Sequence, residues 1–225
     1  MNLRTSISRL LGAICVLSLL TCLFSLTGCS KKTETTYQPI ESDRYAKLLA
    51  LHDQAEPVLK LDDKTITWQE YCYYIAYHVA FVESSNGTVT DWNKTMIDDK
   101  TFGQYVLENA EKWVLYDAAL EKGAAEQGVS LDAKDEKEIE TQWNDAVKAA
   151  GSEEALLEDM STYCCNKPLY LSMLRTRALS AKVYAAMYGE PSEDEDNSTA
   201  FEEQLDAWAK TVKVERLEDL SGLDL

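Results

Sequence analysis

The chain has 225 residues, of which 45% are apolar and 27% charged, and its formal net charge is −17. This length suits one domain of ordinary size, or two small ones, with a substantial core. The apolar fraction is too high for a disordered chain, and the charged fraction is too high for a protein of many membrane spans. The acidic excess also disfavours nucleic-acid binding, because phosphate backbones would repel such a surface.

The N-terminal segment has the pattern of an export signal. Arg4 and Arg9 supply a positive start, and an apolar stretch follows over residues 10–26. A positive flank, an apolar run and small residues before a cleavage point together predict a secretory signal peptide. The alternative is an uncleaved N-terminal membrane helix, since the run is nearly long enough to span a bilayer.

The apolar stretch ends in a four-residue motif that resembles a bacterial lipobox: Leu26, Thr27, Gly28 and Cys29. In a lipobox the cysteine is lipidated and becomes the new N-terminus. We therefore expect residues 1–28 to be removed. Acyl chains on Cys29 would then hold the protein on the extracytoplasmic face of a bacterial membrane.

We expect the mature chain to consist of a tether and one helical domain. We expect residues 29–43 to contain the lipidated cysteine and a polar, flexible tether, and residues 44–225 to form the domain. Within the domain, residues 190–198 carry five acidic side chains and no apolar one, which predicts a solvated linker. Removal of Arg4 and Arg9 with the signal would leave 20 basic against 39 acidic residues, a balance of −19.

Three cysteines remain in the predicted domain: Cys72, Cys164 and Cys165. An exported compartment permits disulfides, and a bridge would more plausibly join Cys72 to one of the adjacent pair than join the pair itself. Zinc prefers about four N or S ligands at set spacings, and only His52 and His78 could assist, so we expect no metal site. The favoured interpretation is that all three cysteines are small buried apolar residues.

Hydrophobic spacing and capping residues predict a mainly helical domain. Thr67 and Glu70 form a capping box, Thr101 caps a long helix, and Pro168 lies in the first turn of another. A polar loop is predicted over residues 84–100. Seven helices are predicted. One begins at residue 68 and ends where the loop begins at 84, and the others cover residues 44–55, 101–127, 133–149, 153–160, 168–188 and 199–210.

Each predicted helix has an apolar stripe that we expect to face the core. The clearest stripes comprise Cys72, Ile75, Val79 and Val82; Val106, Trp113, Tyr116 and Leu120; Ile139, Trp143 and Ala146; and Leu171, Leu174, Ala178, Ala181 and Ala185. Two short extended segments, near residues 58–61 and 212–216, are expected to pair and to close the domain on itself.

The sequence PVLKLDDKTITWQEY at 57–71 resembles the opening of extracytoplasmic foldases of the SurA and PrsA type. The similarity continues in a long helix ending EKGAAEQGVS, a charged helix and a leucine-rich helix ending YGE. It covers about residues 55–188 and the final helix and strand, and it implies a SurA N-terminal-like chaperone domain. In such foldases a parvulin prolyl isomerase domain typically follows the YGE region. This chain has only the acidic stretch 190–198 at that point, so we do not expect it to have prolyl isomerase activity.

No catalytic motif is present in the sequence: it lacks G-x-S-x-G, a Walker loop, G-x-G-x-x-G and H-E-x-x-H. Cys72 and His78 lie six residues apart on one helix, at an angle unsuited to contact. A pair of Cys164 or Cys165 with His52 is not excluded by spacing, but no orienting third group is indicated. We therefore expect a protein that is not an enzyme and needs no cofactor.

The resemblance and the aromatic content together predict a chaperone-like protein that binds unfolded or extended exported polypeptides. All five Trp and all twelve Tyr lie beyond residue 28, and aromatic and Met side chains accept varied sequences. The candidate contact residues are Trp68, Tyr71, Tyr74, Trp92, Trp113, Tyr170, Tyr184 and Met187. The alternatives are a scaffold lipoprotein holding one folded partner in a cell-envelope complex and an enzyme subunit whose site needs a second chain.

Overall fold

The computed structural model of the protein describes residues 45–97, 99–189 and 197–220. This part of the chain is mainly helical, with a small antiparallel sheet and a separate short hairpin. Its helices are α1 (Ala46–Leu49), α2 (Trp68–Asn86), α3 (Phe102–Glu126), α4 (Ala133–Ala150), α5 (Glu153–Ser161), α6 (Lys167–Tyr188) and α7 (Ser198–Ala209). The predicted lipobox, the tether and most of the acidic linker lie outside the described residues.

The antiparallel sheet has the strand order β2-β1-β5. Its strands are β1 (Pro57–Leu61), β2 (Lys64–Thr67) and β5 (Val214–Arg216). Strand β1 turns directly into β2, and β5 returns from the end of the chain to pair with β1, with Leu61 opposite Val214 and Leu59 opposite Arg216. The predicted closure of the domain by its C-terminal strand is therefore confirmed.

The predicted helix caps at Thr67 and Thr101 are also confirmed. The side chain of Thr67 accepts a hydrogen bond from the backbone N–H of Glu70, and the Glu70 carboxylate accepts one from the backbone N–H of Thr67 at 2.8 Å. Thr101 and Gln104 form the same reciprocal pair at the start of α3. These local bonds satisfy orphan N–H groups and fix where each helix begins.

Helix α3 is the central element of the fold, because it packs against α2, α6 and α7. Its closest approach to α7 occurs at Gly123, where an added Cβ atom would lie 2.3 Å from the ring of Trp208. The Trp208 indole N–H donates to the Glu126 carboxylate at 2.8 Å. A glycine in the last turn of α3 is therefore required by the packing of α7 and not by backbone conformation.

The C-terminal return is tied to the β1–β2 turn by polar contacts as well. Asp62 accepts a hydrogen bond from the backbone N–H of Lys213 at 3.0 Å and donates its own N–H to the Lys213 carbonyl at 2.9 Å. Lys122 of α3 bridges the Asp62 carboxylate and the carbonyl of Thr211. These bonds hold the pKa of Asp62 below its ordinary value, with the Lys213 amide as the largest cause.

Three predicted element boundaries are wrong. The first helix ends at Leu49 and not at 55, and beyond that end Asp53 accepts a bond from the N–H of Ala55 at 2.9 Å in a local turn. The predicted loop 84–100 contains the last turn of α2 and a hairpin of β3 (Thr95–Ile97) and β4 (Lys100–Thr101). The last helix begins at Ser198, after Asn197, without a side-chain cap.

Two predicted core stripes also differ from the structure. Cys72, Ile75, Val79 and Val82 are all buried, as predicted, but Trp113 of the α3 stripe is 45% exposed. Ala181, in the small-residue half of α6, is exposed as well. In both cases helical spacing identifies a face, but the neighbouring helix covers only part of that face.

Candidate functional site

An aromatic contact joins α2 to α3 at Tyr77 and Trp113, and the exposed Phe81 lies one turn beyond Tyr77 on α2. Tyr77 and Phe81 stand one turn apart on α2, and Trp113 of α3 places its ring centroid 6.2 Å from that of Tyr77. Phe81 is 50% and Trp113 45% exposed, and Tyr77 is half-buried. We call these three residues the aromatic patch.

The patch arises because α2 carries more apolar residues than one face can bury. Its buried stripe of Ile75, Val79 and Val82 packs into the core, and the capping box at Thr67 fixes the rotation of the helix from its first turn. Residues four apart lie on the same face of a helix. Tyr77 and Phe81 therefore stand together at the edge of the buried stripe, facing outward.

His78 lies beneath the patch and contributes no charge to it at neutral pH. Its side chain is 4% exposed, and its ring lies 5.1 Å from that of Tyr77 and 6.2 Å from that of Trp113. Its Nε2 atom is buried without a hydrogen-bond partner. Burial lowers the pKa of His78 to about 4, so the imidazole is neutral at physiological pH and the floor of the patch is uncharged.

A small pocket with a carboxylate lies beside the patch. Tyr74 of α2 donates its hydroxyl to the Asp117 carboxylate of α3, and Lys64 of β2 pairs with Glu121 at 2.9 Å. Burial raises the pKa of Asp117 to about 6, while Lys64 and the Tyr74 hydroxyl act in the opposite direction. The cavity has a volume of about 20 Å³, room for about one water molecule, and we call it the acid pocket. Its lining residues are Lys64, Ile66, Glu70, Tyr74, Val114, Asp117, Leu169, Ser172 and Met173.

The acid pocket and the aromatic patch follow each other along α3. Asp117 follows Trp113 by four residues on α3, which places their Cβ atoms about 5–6 Å apart on one face. On α2, the ring of Tyr73 lies 5.3 Å from that of Tyr74 and 6.5 Å from that of Tyr77.

A second aromatic cluster joins α6 to α7. The ring of Phe201 lies 5.5 Å from that of Tyr184 and 6.5 Å from that of Tyr188. All three side chains are half-buried. None of the three is among the large apolar side chains that are clearly exposed, in contrast to Phe81 and Trp113.

Two of the predicted contact residues belong to the core. Trp68 is fully buried and donates its indole N–H to the Leu49 carbonyl at 3.2 Å. Tyr71 is buried and donates to the Leu107 carbonyl at 3.5 Å. Neither has a surface on which a polypeptide could lie, so the candidate assignment of both is corrected to core packing.

The other predicted contact residues fall in separate places. Tyr74 lies in the acid pocket and Trp113 in the aromatic patch. Trp92 packs edge-on against Phe102, Tyr170 against Trp143, and Tyr184 belongs to the α6–α7 cluster. Met187 is half-buried against the core. The predicted set is therefore not one surface.

Sequence reasoning missed Tyr77, Phe81 and Asp117 as members of the site. The spacing of Tyr77 and Phe81, one turn apart and outside the buried stripe of α2, is a signal that could have identified them. Asp117 gives no such signal, because its burial depends on Tyr74 and on α6.

The three domain cysteines are buried free thiols, which confirms the interpretation of them as small core residues. Burial raises the pKa of each thiol, that of Cys164 to about 12, so none is a thiolate nucleophile at neutral pH. His52 is half-buried, with Nδ1 3.1 Å from the Glu56 carboxylate. Within the described ranges, no group of three or more His, Cys, Asp or Glu side chains is arranged to hold a metal ion.

Comparison with protein-family models, with curated proteins and with solved structures gives no match to this chain. Among the helices of the described residues, none has the length and apolar character needed to cross a bilayer.

Proposed function

We propose that this protein is a lipid-anchored, extracytoplasmic chaperone-like protein that binds unfolded or extended exported polypeptides without covalent chemistry. The observation that carries the proposal is the aromatic patch. Two large apolar side chains, Phe81 and Trp113, stand about half exposed on neighbouring helices, next to a pocket with a buried carboxylate. Contiguous exposed apolar groups of this kind are typical of interaction sites.

The size of the patch favours weak, reversible binding. Full burial of a large apolar side chain contributes about 1.5–3 kcal/mol, and these side chains are already partly buried. Two or three such contacts give affinities in the micromolar to millimolar range after the cost of ordering a peptide. Affinities of this order suit a protein that captures apolar segments of a client and releases them for folding.

The charge of the chain adds a preference among clients. A mature balance of −19 keeps the protein soluble close to a membrane and repels acidic polypeptides. Electrostatic complementarity raises the association rate of oppositely charged partners. We therefore expect basic or neutral unfolded segments to bind in preference to acidic ones.

The SurA and PrsA resemblance supports the same proposal. The segment that carries it, residues 57–71, consists of β1, the turn, β2 and the capped start of α2, and the C-terminal strand returns to β1. We propose a SurA N-terminal-like domain on this ground. Anchoring through Cys29 and the membrane location follow from the lipobox motif alone and belong to the same proposal.

The test measures whether residues 30–225 suppress the aggregation of a chemically denatured basic client. Light scattering records the aggregation while the protein is present at several-fold molar excess over the client. We expect suppression by the wild-type protein and a loss of at least about threefold in potency for the double variant Phe81→Ala, Trp113→Ala, because the patch is then removed.

The matched control is Leu51→Ala, Leu217→Ala, which removes two exposed apolar side chains elsewhere and should retain full potency. Equal potency of the two double variants would contradict the assignment to the patch. No suppression by the wild type, together with recovery of one folded partner in a pull-down, would favour a scaffold lipoprotein instead.

A further inference from the structure

We infer that the tether, residues 30–43, docks on the aromatic patch through its segment 37–40 and covers the patch until a client displaces it. This inference rests on the proposed function, because it concerns the regulation of the same surface. Three observations carry it: the place on α2 where the described chain begins, the direction in which α1 runs along α2, and the residue types of the tether.

The described chain begins on helix α2, close to the aromatic patch. Tyr45 is buried, and its hydroxyl donates to the carbonyl of Ala76 at 3.5 Å. Ala76 directly precedes Tyr77, and the exposed Phe81 comes five residues after Ala76. At 1.5 Å per residue, this separation is about 7.5 Å along the helix axis. The tether therefore joins the domain within about one and a half helical turns of Phe81.

Helix α1 directs the tether toward Phe81. The Leu49 carbonyl accepts a hydrogen bond from the indole N–H of Trp68, at the start of α2, and Tyr45 reaches Ala76 about two turns further along α2. The chain from Tyr45 to Leu49 therefore runs antiparallel to α2. Residues that precede Tyr45 and continue in this direction arrive at Phe81.

The tether is long enough to reach the whole patch. An extended chain covers about 3.3–3.6 Å per residue, so the path from Tyr45 back to Ile40 spans up to about 17 Å and the path back to Tyr37 up to about 27 Å. A helix with its side chains is about 10–12 Å in diameter. Both paths are longer than this diameter, so the tether can pass around α2 from Ala76 to Phe81.

The segment 37–40 has the chemistry of a ligand for aromatic side chains. Its sequence is Tyr-Gln-Pro-Ile, and it contains Tyr37 and Ile40, the large apolar residues of the tether. Pro39 disfavours helix at the preceding residue and favours an extended or polyproline II form. In polyproline II three residues make one turn, so Tyr37 and Ile40 would point to the same side about 9 Å apart. Proline-containing segments in this form bind surfaces lined by aromatic residues.

Two other segments beyond the described ranges are less suited to cover the patch. Residues 190–196 contain no Leu, Ile, Val, Met or aromatic residue. Residues 221–225 follow Leu217, whose N–H donates to the Val58 carbonyl of β1 at 3.0 Å. This contact lies toward the N-terminal end of α2, because the N–H of Trp68 donates to the carbonyl of Glu56, just before β1. The tether is therefore the favoured occupant.

Docking of the tether should weaken client binding without abolishing it. A short flexible linker gives an effective concentration on the order of millimolar, which is comparable with the dissociation constant proposed for the patch. If half to nine-tenths of the patches are covered, the apparent affinity for a client falls by about two- to tenfold. Loss of the two apolar side chains of the tether should raise client affinity by the same factor.

The first arm of the test measures client affinity with residues 30–225 and a fluorescently labelled peptide of alternating lysine and phenylalanine. The double variant Tyr37→Ser, Ile40→Ser should bind this peptide about two- to tenfold more tightly than the wild type. The matched control is Thr35→Ala, Thr36→Ala, which changes two polar side chains of the tether and should leave the affinity unchanged.

The second arm locates the tether without any client. A photo-reactive benzoylphenylalanine in place of Phe81 should crosslink to residues 30–43 of the same chain, as mapped by mass spectrometry of the monomeric product. The same group in place of the exposed Glu140 on α4 should give no such crosslink. Crosslinks that join two chains would assign the patch to a second copy of the protein and overturn the inference.

The outcomes separate the inference from the proposed function. Unchanged client affinity in Tyr37→Ser, Ile40→Ser, or crosslinks from position 81 that do not reach residues 30–43, would overturn docking of the tether. If the wild type still binds the peptide through Trp113, the proposed function stands in that case. Crosslinks to residues 30–43, with no peptide binding by the wild type or by the double variant, would support docking of the tether and overturn the proposed function.

Discussion

Trp208→Ala lowers the free energy of unfolding by about 3–5 kcal/mol, the range expected for removal of a large buried aromatic side chain. Trp208 is buried against Gly123 of α3, and its indole N–H donates to Glu126. Its removal leaves a cavity between α3 and α7 and detaches the segment that leads into β5. Chemical denaturation followed by circular dichroism measures the loss.

Gly123→Ala provides the complementary half of this prediction. In the wild-type background an alanine Cβ would lie 2.3 Å from the Trp208 ring, so α7 must shift, at a cost of about 1–3 kcal/mol. In the Trp208→Ala background the same substitution meets no ring, and the higher helix propensity of alanine should stabilise the protein by about 0.5–1 kcal/mol. The sign of the effect therefore reverses between the two backgrounds. A Gly123→Ala variant that is equally destabilised in both would contradict the packing of α7 on α3.

The second large effect concerns the dependence of stability on pH. The pKa of Asp117 is raised from 3.8 to about 6 by burial, so the folded state binds more protons than the unfolded state between these values. The contribution of Asp117 to stability is then greatest below pH 4 and is lost as the pH rises through 6. Each pKa unit corresponds to 1.36 kcal/mol, which gives about 3 kcal/mol for the whole shift.

His78 has the opposite dependence. Burial lowers its pKa from 6.5 to about 4, so the unfolded state takes up the proton first as the pH falls. Its contribution to stability is fully present above pH 6.5 and falls by about 3 kcal/mol on acidification to pH 4. Over this interval the effects of Asp117 and His78 oppose each other.

Single variants should reveal the two effects. Relative to the wild type, Asp117→Asn should gain stability of about 1–3 kcal/mol at pH 7.5 and none near pH 4, because the amide has no charge to bury. His78→Phe should gain stability relative to the wild type as the pH falls from 6.5 to 4. Denaturant titrations at half-unit pH intervals measure both differences. A difference curve that is flat for either variant would contradict the burial of that group.

Local features were the most predictable from sequence. The capping boxes at Thr67 and Thr101 depend on residues three apart, and the first turn of a helix satisfies its N–H groups from the same short segment whatever the rest of the chain does. The pairing of β5 with β1 was predictable because few extended segments were available to pair. The end of α1 was less predictable: apolar spacing continues to residue 52, but the helix ends at Leu49.

The site was less predictable than the fold. Spacing places Trp113 on a stripe with Val106 and Leu120, but whether a stripe residue is buried depends on how far the neighbouring helix extends across it. Trp68 and Tyr71 are also aromatic residues of a predicted helix, but both side chains are buried in the core. Residue type alone does not separate core aromatics from surface aromatics, because burial is decided by tertiary packing. The same reason applies to Asp117, whose environment is built by three other elements.

The most direct measurement of the central claim is site-specific photo-crosslinking to an unfolded client. A photo-reactive benzoylphenylalanine in place of Phe81 lies in the aromatic patch, and the same group in place of the exposed Glu140 on α4 provides the control. Binding at the patch predicts crosslinks from position 81 that greatly exceed those from position 140 and that decline when Trp113→Ala is added. Equal crosslinking from both positions, or crosslinks from position 81 that do not respond to Trp113→Ala, would contradict the patch as the client-binding surface.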